Sequence, residues 1–255
     1  MDKSKMTGLL LAATALFGGA NLFAAGTEAA VEDAHIDPGN IASMQRGARN
    51  FMNYCSGCHS AKYVRFNTIG KYLELSEEQL VDNLMFNADK TFETIRVAMP
   101  AADATRWFGK VPPDLSLMAR AKGADYIYSY LRGFYVDPDS PTGVDNIVLQ
   151  GTSMPDILWE LQGYQAAVFD EHSEAMPDGS EVTHREFSHF EPLTEGQLDA
   201  EDYDEFVRDT VNFLAYVAEP IRAERRKLGT WVLIYLLVFL IIARMLKKQI
   251  WKDVE

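Results

Sequence analysis

The sequence predicts an all-α domain with long loops and an insertion, followed by one carboxyl-terminal transmembrane helix. Apolar residues recur at helical spacing in several segments. The connections between these segments are rich in Gly and Pro, and residues 155–200 show few sustained apolar periods. Residues 228–243 are uncharged and almost wholly apolar. So many long loops are unusual in a small domain, which suggests that a large cofactor fills its core.

The most specific motif is Cys55-Ser56-Gly57-Cys58-His59, which contains the only two cysteines of the chain. Covalent attachment of a c-type haem needs two thiols about one helical turn apart and a histidine directly after them. The thiols bond to the haem vinyl groups, and the imidazole binds the iron. The motif therefore predicts one covalently attached haem c, with His59 as an axial ligand.

Two other uses of a cysteine pair have to be weighed. A thioredoxin-like redox disulfide would follow a strand of a parallel sheet. The residues before the motif, 41–54, instead have helical spacing of their apolar side chains. A structural zinc site normally has four protein ligands, and no second cysteine pair exists. The haem is therefore favoured, with the redox pair as the alternative.

Residues 1–26 have the layout of a secretory signal peptide. Lys3 and Lys5 precede an apolar run at 9–17, and small residues follow near 24–26. An uncleaved amino-terminal anchor is the alternative, but the apolar run is short for it. Residues 27–40 are predicted to form a polar linker. Export agrees with the motif, because bacteria attach haem c on the exported side of the membrane.

Five helices are predicted before the membrane segment, at residues 41–54, 76–87, 114–121, 124–135 and 202–218. Ser76 is expected to cap the second of them. Pro100, Pro112 and Pro113 predict that residues 96–113 are mostly loop. Residues 155–200 are predicted to be an insertion with little regular structure, at most a hairpin. Glu219-Pro220 should end the last helix.

The apolar segment at 228–243 extends through Leu246 to about 19 residues, close to the thickness of a bilayer core. Basic residues flank it on both sides, so their distribution does not orient it; a buried core helix would not be expected to carry them. The signal peptide places the bulk of the chain outside. The predicted organisation is a haem domain at 41–221, basic flanks and transmembrane helix at 222–248, and a cytoplasmic tail at 249–255.

The chain has a net charge of −13, and acidic residues are concentrated at 170–205. This balance argues against a nucleic-acid partner. The acidic stretch is either a solvated face or a field that steers a basic partner into contact.

A second axial ligand is expected, and methionine is a common choice in electron-transfer haem proteins. Met99 and Met154 each precede a proline in a loop, where an extended backbone can present the sulfur. The remaining candidates, which the residues alone leave open, are Met44, Met52, Met85, Met118, Met176, His172, His184 and His189. The free ring nitrogen of His59 should donate to a carbonyl, for which Pro112 is the expected acceptor.

A set of motifs in order along residues 41–250 resembles the cytochrome c1 family, the haem subunit of the ubiquinol-cytochrome c reductase (cytochrome bc1) complex. The residues that carry this resemblance are Arg46, Phe51, Tyr54, Cys55, Cys58, His59, Ser60, Tyr63, Pro112-Pro113-Asp114-Leu115-Ser116, Asp125-Tyr126, Phe213-Leu214 and Ala218-Glu219-Pro220. The resemblance implies a cytochrome c-like haem domain.

It further implies roles for single residues. Met154 would be the distal ligand and Pro112 would pack against the haem edge. Arg120 and Tyr126 would be candidates for the propionates, with Lys122 competing with Arg120 for that role.

The implied function is electron relay from a Rieske iron-sulfur protein to a soluble or membrane-attached cytochrome c, while a cytochrome b subunit oxidises quinol. The chain would not be catalytic alone. It would lie in the inner membrane of a bacterium, with the haem domain periplasmic. The rival functions are a tethered monohaem cytochrome of another oxidase or reductase, and a membrane-anchored thiol-disulfide oxidoreductase.

Overall fold

The computed structural model describes residues 31–175 and 181–252, with the backbone alone at 172–175, 181–184 and 223. The predicted signal peptide at 1–26 lies outside these residues, as do the ligand candidate Met176 and the side chains of His172 and His184.

Helices form most of the framework. In chain order they are α1 (Ile41–Asn50), which continues into a π-helical turn (Phe51–Cys55), α2 (Phe66–Tyr72), α3 (Glu77–Leu84), α4 (Ala101–Phe108), α5 (Met118–Ala121), α6 (Ala124–Arg132), α7 (Trp159–Gln162), α8 (Ala200–Ala218) and α9 (Arg222–Ile250).

Several predicted helices and one predicted cap are confirmed. Ser76 caps α3 with a reciprocal pair of bonds, because its hydroxyl accepts from the Gln79 N–H (3.1 Å) and the Gln79 side chain accepts from the Ser76 N–H (2.9 Å). The helix before the cysteine motif and the long helix before Glu219 also form as expected. The helix after Gly123 forms but ends at Arg132 instead of residue 135, because Phe134–Val136 is a strand.

The prediction that residues 96–113 are mostly loop holds for both ends of this segment but missed α4, which lies in its middle. Pro100 is the amino-terminal cap of this helix and Gly109, with a φ of 74°, is its carboxyl-terminal cap. The prolines therefore flank the helix, where a missing N–H costs nothing, and do not interrupt it. The helix predicted at 114–121 shortens to the single turn α5.

The all-α prediction is not confirmed, because three antiparallel two-stranded sheets are present in the described residues. They pair β1 (Ala61–Arg65) with β2 (Thr94–Ile95), β3 (Phe134–Val136) with β4 (Val144–Asn146), and β5 (Gln165–Ala175) with β6 (Glu181–Pro192).

The β5–β6 hairpin occupies most of the predicted insertion and is stabilised by aromatic contacts. Phe169 stands opposite Phe187 in the register, with ring centroids 6.1 Å apart. Tyr135 of β3 packs on Phe169 at 5.8 Å. These contacts join residues that are distant in sequence, so no local periodic pattern of apolar residues predicts them.

Helices α1 and α8 cross at Gly47, and this crossing holds the cysteine motif against the core. A Cβ at Gly47 would lie 2.0 Å from the backbone oxygen of Asp209, so the approach requires glycine. The buried Asp209 carboxylate accepts from the Ser43 hydroxyl (2.6 Å) and from Nε of Arg46 (2.5 Å). Since a buried carboxylate needs such partners, the network adds specificity to the crossing.

Part of the predicted linker packs against the domain. Ala34 is fully buried. Its N–H donates to Asp125 Oδ1 (3.0 Å), and its carbonyl accepts from Nε of Arg208 (3.2 Å). This segment therefore joins α6 to α8.

Helix α9 contains the one segment of the described chain that is long and apolar enough to cross a membrane, Glu224–Ile250, whose 18-residue apolar window has a mean hydropathy of 2.2. None of its apolar window is buried against the rest of the protein. At the junction before it, Arg225 forms an ion pair with Glu219.

Candidate haem-binding site

A cavity of about 250 Å³ lies between the π-helical turn, residues 108–118, α6, the loop 147–157 and α8. Cys55, Cys58, His59 and Met154, the four residues expected to hold the haem, all line it. Most of its other lining residues are apolar or aromatic, and a few are polar. The whole set consists of Tyr54, Phe108, Lys110, Pro112, Pro113, Leu115, Met118, Lys122, Tyr126, Ile127, Tyr130, Leu131, Leu149, Thr152, Ser153, Pro155, Ile157, Thr210 and Leu214. Such a lining suits a large, flat and mostly apolar ligand.

The two cysteines of the motif form no disulfide with each other and lie at the wall of the cavity. Burial, reinforced by the neighbouring Cys58, raises the pKa of Cys55 to about 12. Burial also raises the pKa of Cys58. Thiol-disulfide exchange needs a thiol whose pKa is lowered, so this environment disfavours the redox-pair alternative.

The π-helical turn and the residues after it present His59, which is only 8% exposed. Its Nδ1 lies 2.7 Å from the carbonyl oxygen of Pro113. A carbonyl can only accept, so Nδ1 carries the proton and Nε2 keeps a free lone pair. Burial lowers the pKa of His59, against smaller opposing effects of the Pro113 carbonyl and Asp114. The imidazole is therefore neutral, as a metal ligand must be.

The prediction that the Pro112 carbonyl accepts the hydrogen bond from His59 is wrong by one residue. The N–H of Leu115 donates to the Ser60 carbonyl at 2.8 Å. This bond aligns the proline segment with the end of the motif, and the carbonyl opposite the ring is that of Pro113.

Two methionines reach the cavity among those that the structure describes, Met118 and Met154. Met99, the other leading candidate from the sequence, is not among the lining residues. Met44 and Met52 are buried in the core with Met85, as their helical patterns indicate for core residues. His189 is exposed and pairs with Glu191 at 3.7 Å.

Three further residues were predicted to contact the haem. Pro112 and Tyr126 line the cavity. Arg120 is exposed and lies outside the lining, whereas Lys122 belongs to it and holds its Nζ 5.3 Å from the centre of the Tyr126 ring. The structure thus brings Lys122 to the cavity, and a propionate role for Arg120, Lys122 or Tyr126 stays a prediction.

Sequence reasoning missed several other lining residues. Tyr130 lies four residues after Tyr126 on α6, and helical spacing could have identified it. Phe108 and Lys110 come from a segment predicted as loop, and no local pattern connects them to the site.

The residues fit a covalently held haem. Two cysteine sulfurs, an imidazole with a free Nε2 and a thioether sulfur converge on one apolar cavity. These groups are the donors that a c-type haem uses for attachment and for axial ligation.

Together the fold and the site define a c-type cytochrome with one helix suited to cross a membrane. The model of the Cytochrome C1 family matches residues 82–254. The chain is 43% identical to cytochrome c1 of Allochromatium vinosum, over 98% of this chain and 100% of that protein. It is 36% identical to the ammonia monooxygenase gamma subunit of Nitrosomonas europaea (90% and 91% covered) and 28% identical to cytochrome c1 of Rhodospirillum rubrum (83% and 82%).

The chain belongs to the cytochrome c1 family. It is an electron-transport protein with one covalently attached haem c, and its apolar α9 fits a membrane anchor.

Proposed function

We propose that this chain is the haem subunit of a ubiquinol-cytochrome c reductase complex. It takes single electrons from a Rieske iron-sulfur protein and passes them to a soluble or membrane-attached cytochrome c, while a cytochrome b subunit oxidises the quinol. The observation that carries the proposal is the convergence of Cys55, Cys58, His59 and Met154 on one cavity, in a chain of this family.

The bound haem supplies a one-electron redox centre. Cys55 and Cys58 would hold it by thioether bonds, and His59 would bind the iron through Nε2. The Pro113 carbonyl orients the imidazole and increases its basicity.

Met154 would be the second ligand of the iron in this proposal. A second ligand would have to come from a part of the chain other than the one that carries His59. Met118 follows Leu115, whose N–H is bonded to the Ser60 carbonyl beside His59. Met154 belongs to the separate loop 147–157, so it suits the opposite side, where its thioether raises the reduction potential.

The other lining residues shape the site. Pro112 would pack on the haem edge, and Tyr126 would contact a propionate, with Lys122 or Arg120 as the candidate cation beside it. The apolar side chains exclude water, which keeps the dielectric constant around the iron low and favours the less charged, reduced state.

In the membrane, residues 41–221 form the periplasmic haem domain, 222–248 the basic flanks and the single span, and 249–255 the cytoplasmic tail. The span lies within α9. The acidic stretch at 170–205 steers a basic electron-transfer partner towards the domain.

Purification of the full chain from its native membrane in mild detergent tests this function. Cytochrome b and an iron-sulfur protein should co-purify, and quinol should reduce the haem of the purified complex. A chain that carries haem c but is isolated without both partners would exclude the reductase and favour another tethered cytochrome.

A further inference from the structure

The loop 147–157, which carries Met154, lacks helix and strand but is attached to the domain by a defined set of hydrogen bonds. Asn146 begins this set and is fully buried. Its Nδ2 donates to the Tyr130 carbonyl (2.7 Å), and its Oδ1 accepts from the N–H groups of Val148 (2.9 Å) and Leu149 (3.3 Å). One amide side chain thus ties the start of the loop to α6.

Asp145 closes the next part of the loop. Its Oδ1 accepts from the N–H of Gly151 (2.8 Å) and from that of Thr152 (3.3 Å). Bonds to an ionised carboxylate are among the stronger hydrogen bonds in proteins. Asp145 does not line the cavity, so its effect on the site has to pass through the loop backbone.

Thr152 connects this backbone to the methionine. It is 5% exposed, and its Oγ1 lies 2.8 Å from the hydroxyl of Tyr130. The same Oγ1 accepts from the N–H of Met154 at 3.4 Å. A continuous set of contacts therefore runs from β4 and α6 to the backbone of Met154.

We propose that Asp145 and Asn146 are positioning residues that hold the Met154 sulfur at the iron. The inference rests on the proposed role of Met154 as axial ligand. A loop without regular structure opens locally at little cost unless side chains satisfy its backbone groups. Here the two adjacent side chains at the end of β4 satisfy four loop N–H groups, and Thr152 completes the path.

Binding of carbon monoxide to the reduced full-length protein tests the proposal, because carbon monoxide binds only when the methionine leaves the iron. Asp145→Ala removes the carboxylate that holds Gly151 and Thr152. We expect the carbon monoxide affinity to rise about tenfold, a factor of the order that loss of charge-assisted hydrogen bonds produces. The methionine–iron charge-transfer band of the oxidised protein should weaken in parallel.

Two matched variants serve as controls. Asp145→Asn keeps an oxygen acceptor and should bind carbon monoxide nearly as weakly as the unmodified protein. Asp137→Ala removes a carboxylate just after β3, the strand that pairs with β4. The Asp137 carboxylate accepts from the Asp139 N–H at 3.1 Å. This variant should leave both readouts unchanged.

Met154→Leu separates failure of this proposal from failure of the ligand assignment. If Met154→Leu opens the iron to carbon monoxide but Asp145→Ala behaves like Asp137→Ala, the positioning role is excluded. If Met154→Leu changes neither readout, Met154 is not the ligand and the proposal falls with it.

A second pair of variants covers the case in which Asp145→Ala does not assemble with haem. Thr152→Val keeps the shape of the side chain but loses the hydroxyl, whereas Thr152→Ser keeps the hydroxyl. Higher carbon monoxide affinity in Thr152→Val alone supports the path to Met154. Equal affinity in both variants excludes it.

Discussion

At the scale of single residues, the two methionines at the cavity have different surroundings. Both are partly buried and pack against the apolar core, but Met118 begins the short helix α5. Met154 lies between Thr152 and Pro155 in a loop, and its backbone N–H bonds to a threonine hydroxyl. The backbone of Met118 is therefore held by a helix and that of Met154 by a hydrogen-bonded loop, and a ligand has to present its sulfur at a defined point.

This difference predicts that the same substitution, methionine to leucine, changes the reduction potential at one position and not at the other. Met154→Leu should lower the reduction potential of the haem, because the thioether that stabilises the reduced iron is lost. Met118→Leu conserves volume and should leave the potential almost unchanged. A potentiometric titration of both variants measures the two reduction potentials. A lowered potential in Met118→Leu alone would make Met118 the ligand.

Asp156 is a second residue with a measurable consequence. Its carboxylate accepts from the Leu158 N–H (3.0 Å), while burial raises its pKa from 3.8 to about 6. Between these two values the folded state binds more protons than the unfolded state. The contribution of Asp156 to the free energy of unfolding should therefore fall as the pH rises through this window.

Asp156→Asn keeps an oxygen acceptor for Leu158 but does not titrate. We expect urea unfolding to show that, between about pH 4 and pH 6, the free energy of unfolding of the unmodified protein falls relative to that of Asp156→Asn. Parallel pH profiles of the two proteins would contradict the assigned pKa.

At the scale of secondary-structure elements, the α1–α8 crossing determines where the haem motif lies. Ring contacts extend the crossing on both sides, with Phe51 on Phe213 at 5.7 Å and Tyr54 on Phe206 at 5.3 Å. Because α1 leads directly into the cysteine motif, any shift of the two helices also moves Cys55 relative to the cavity wall.

Gly47→Ala tests the crossing. The added methyl group would overlap the Asp209 backbone, so the helices would have to separate, at a cost of about 3 kcal/mol or more in the free energy of unfolding. Arg49→Ala, at an exposed position of the same helix, should change stability by less than about 0.5 kcal/mol. Urea unfolding of both variants measures the difference, and equal values would mean that the close approach is not required.

At the scale of the whole molecule, the part of the chain that forms the cavity and the apolar helix α9 are joined through Glu219-Pro220. The lining residues of the cavity fall between residues 54 and 214, and none of the described side chains of α9 is among them. The apolar window of α9 is unburied, so its environment has to come from outside this chain.

A chain that stops after Ile221 should therefore lose its membrane attachment and keep its haem. We expect it in the soluble periplasmic fraction. After reduction, its absorption spectrum should be the same as that of the reduced full-length protein. Cell fractionation and spectroscopy test both parts. Retention of the shortened chain in the membrane would indicate a second anchor, for which the amino-terminal apolar segment is the candidate.

Local sequence determined the features whose physical basis lies within a few residues. The spacing of Cys55, Cys58 and His59, the cap at Ser76 and the long apolar run of α9 belong to this group. Each depends on helical geometry or on continuous hydrophobicity, which neighbouring residues establish without the rest of the chain.

Only the tertiary structure decided which distant residues meet at the cavity. It brought Met154 there and left Met99 outside, placed Lys122 and not Arg120 in the lining, and set the Pro113 carbonyl opposite His59. It also paired β5 with β6 in a segment predicted to have little regular structure. These outcomes depend on the paths of loops and on hydrogen bonds between distant segments, and such contacts leave no periodic pattern in the sequence.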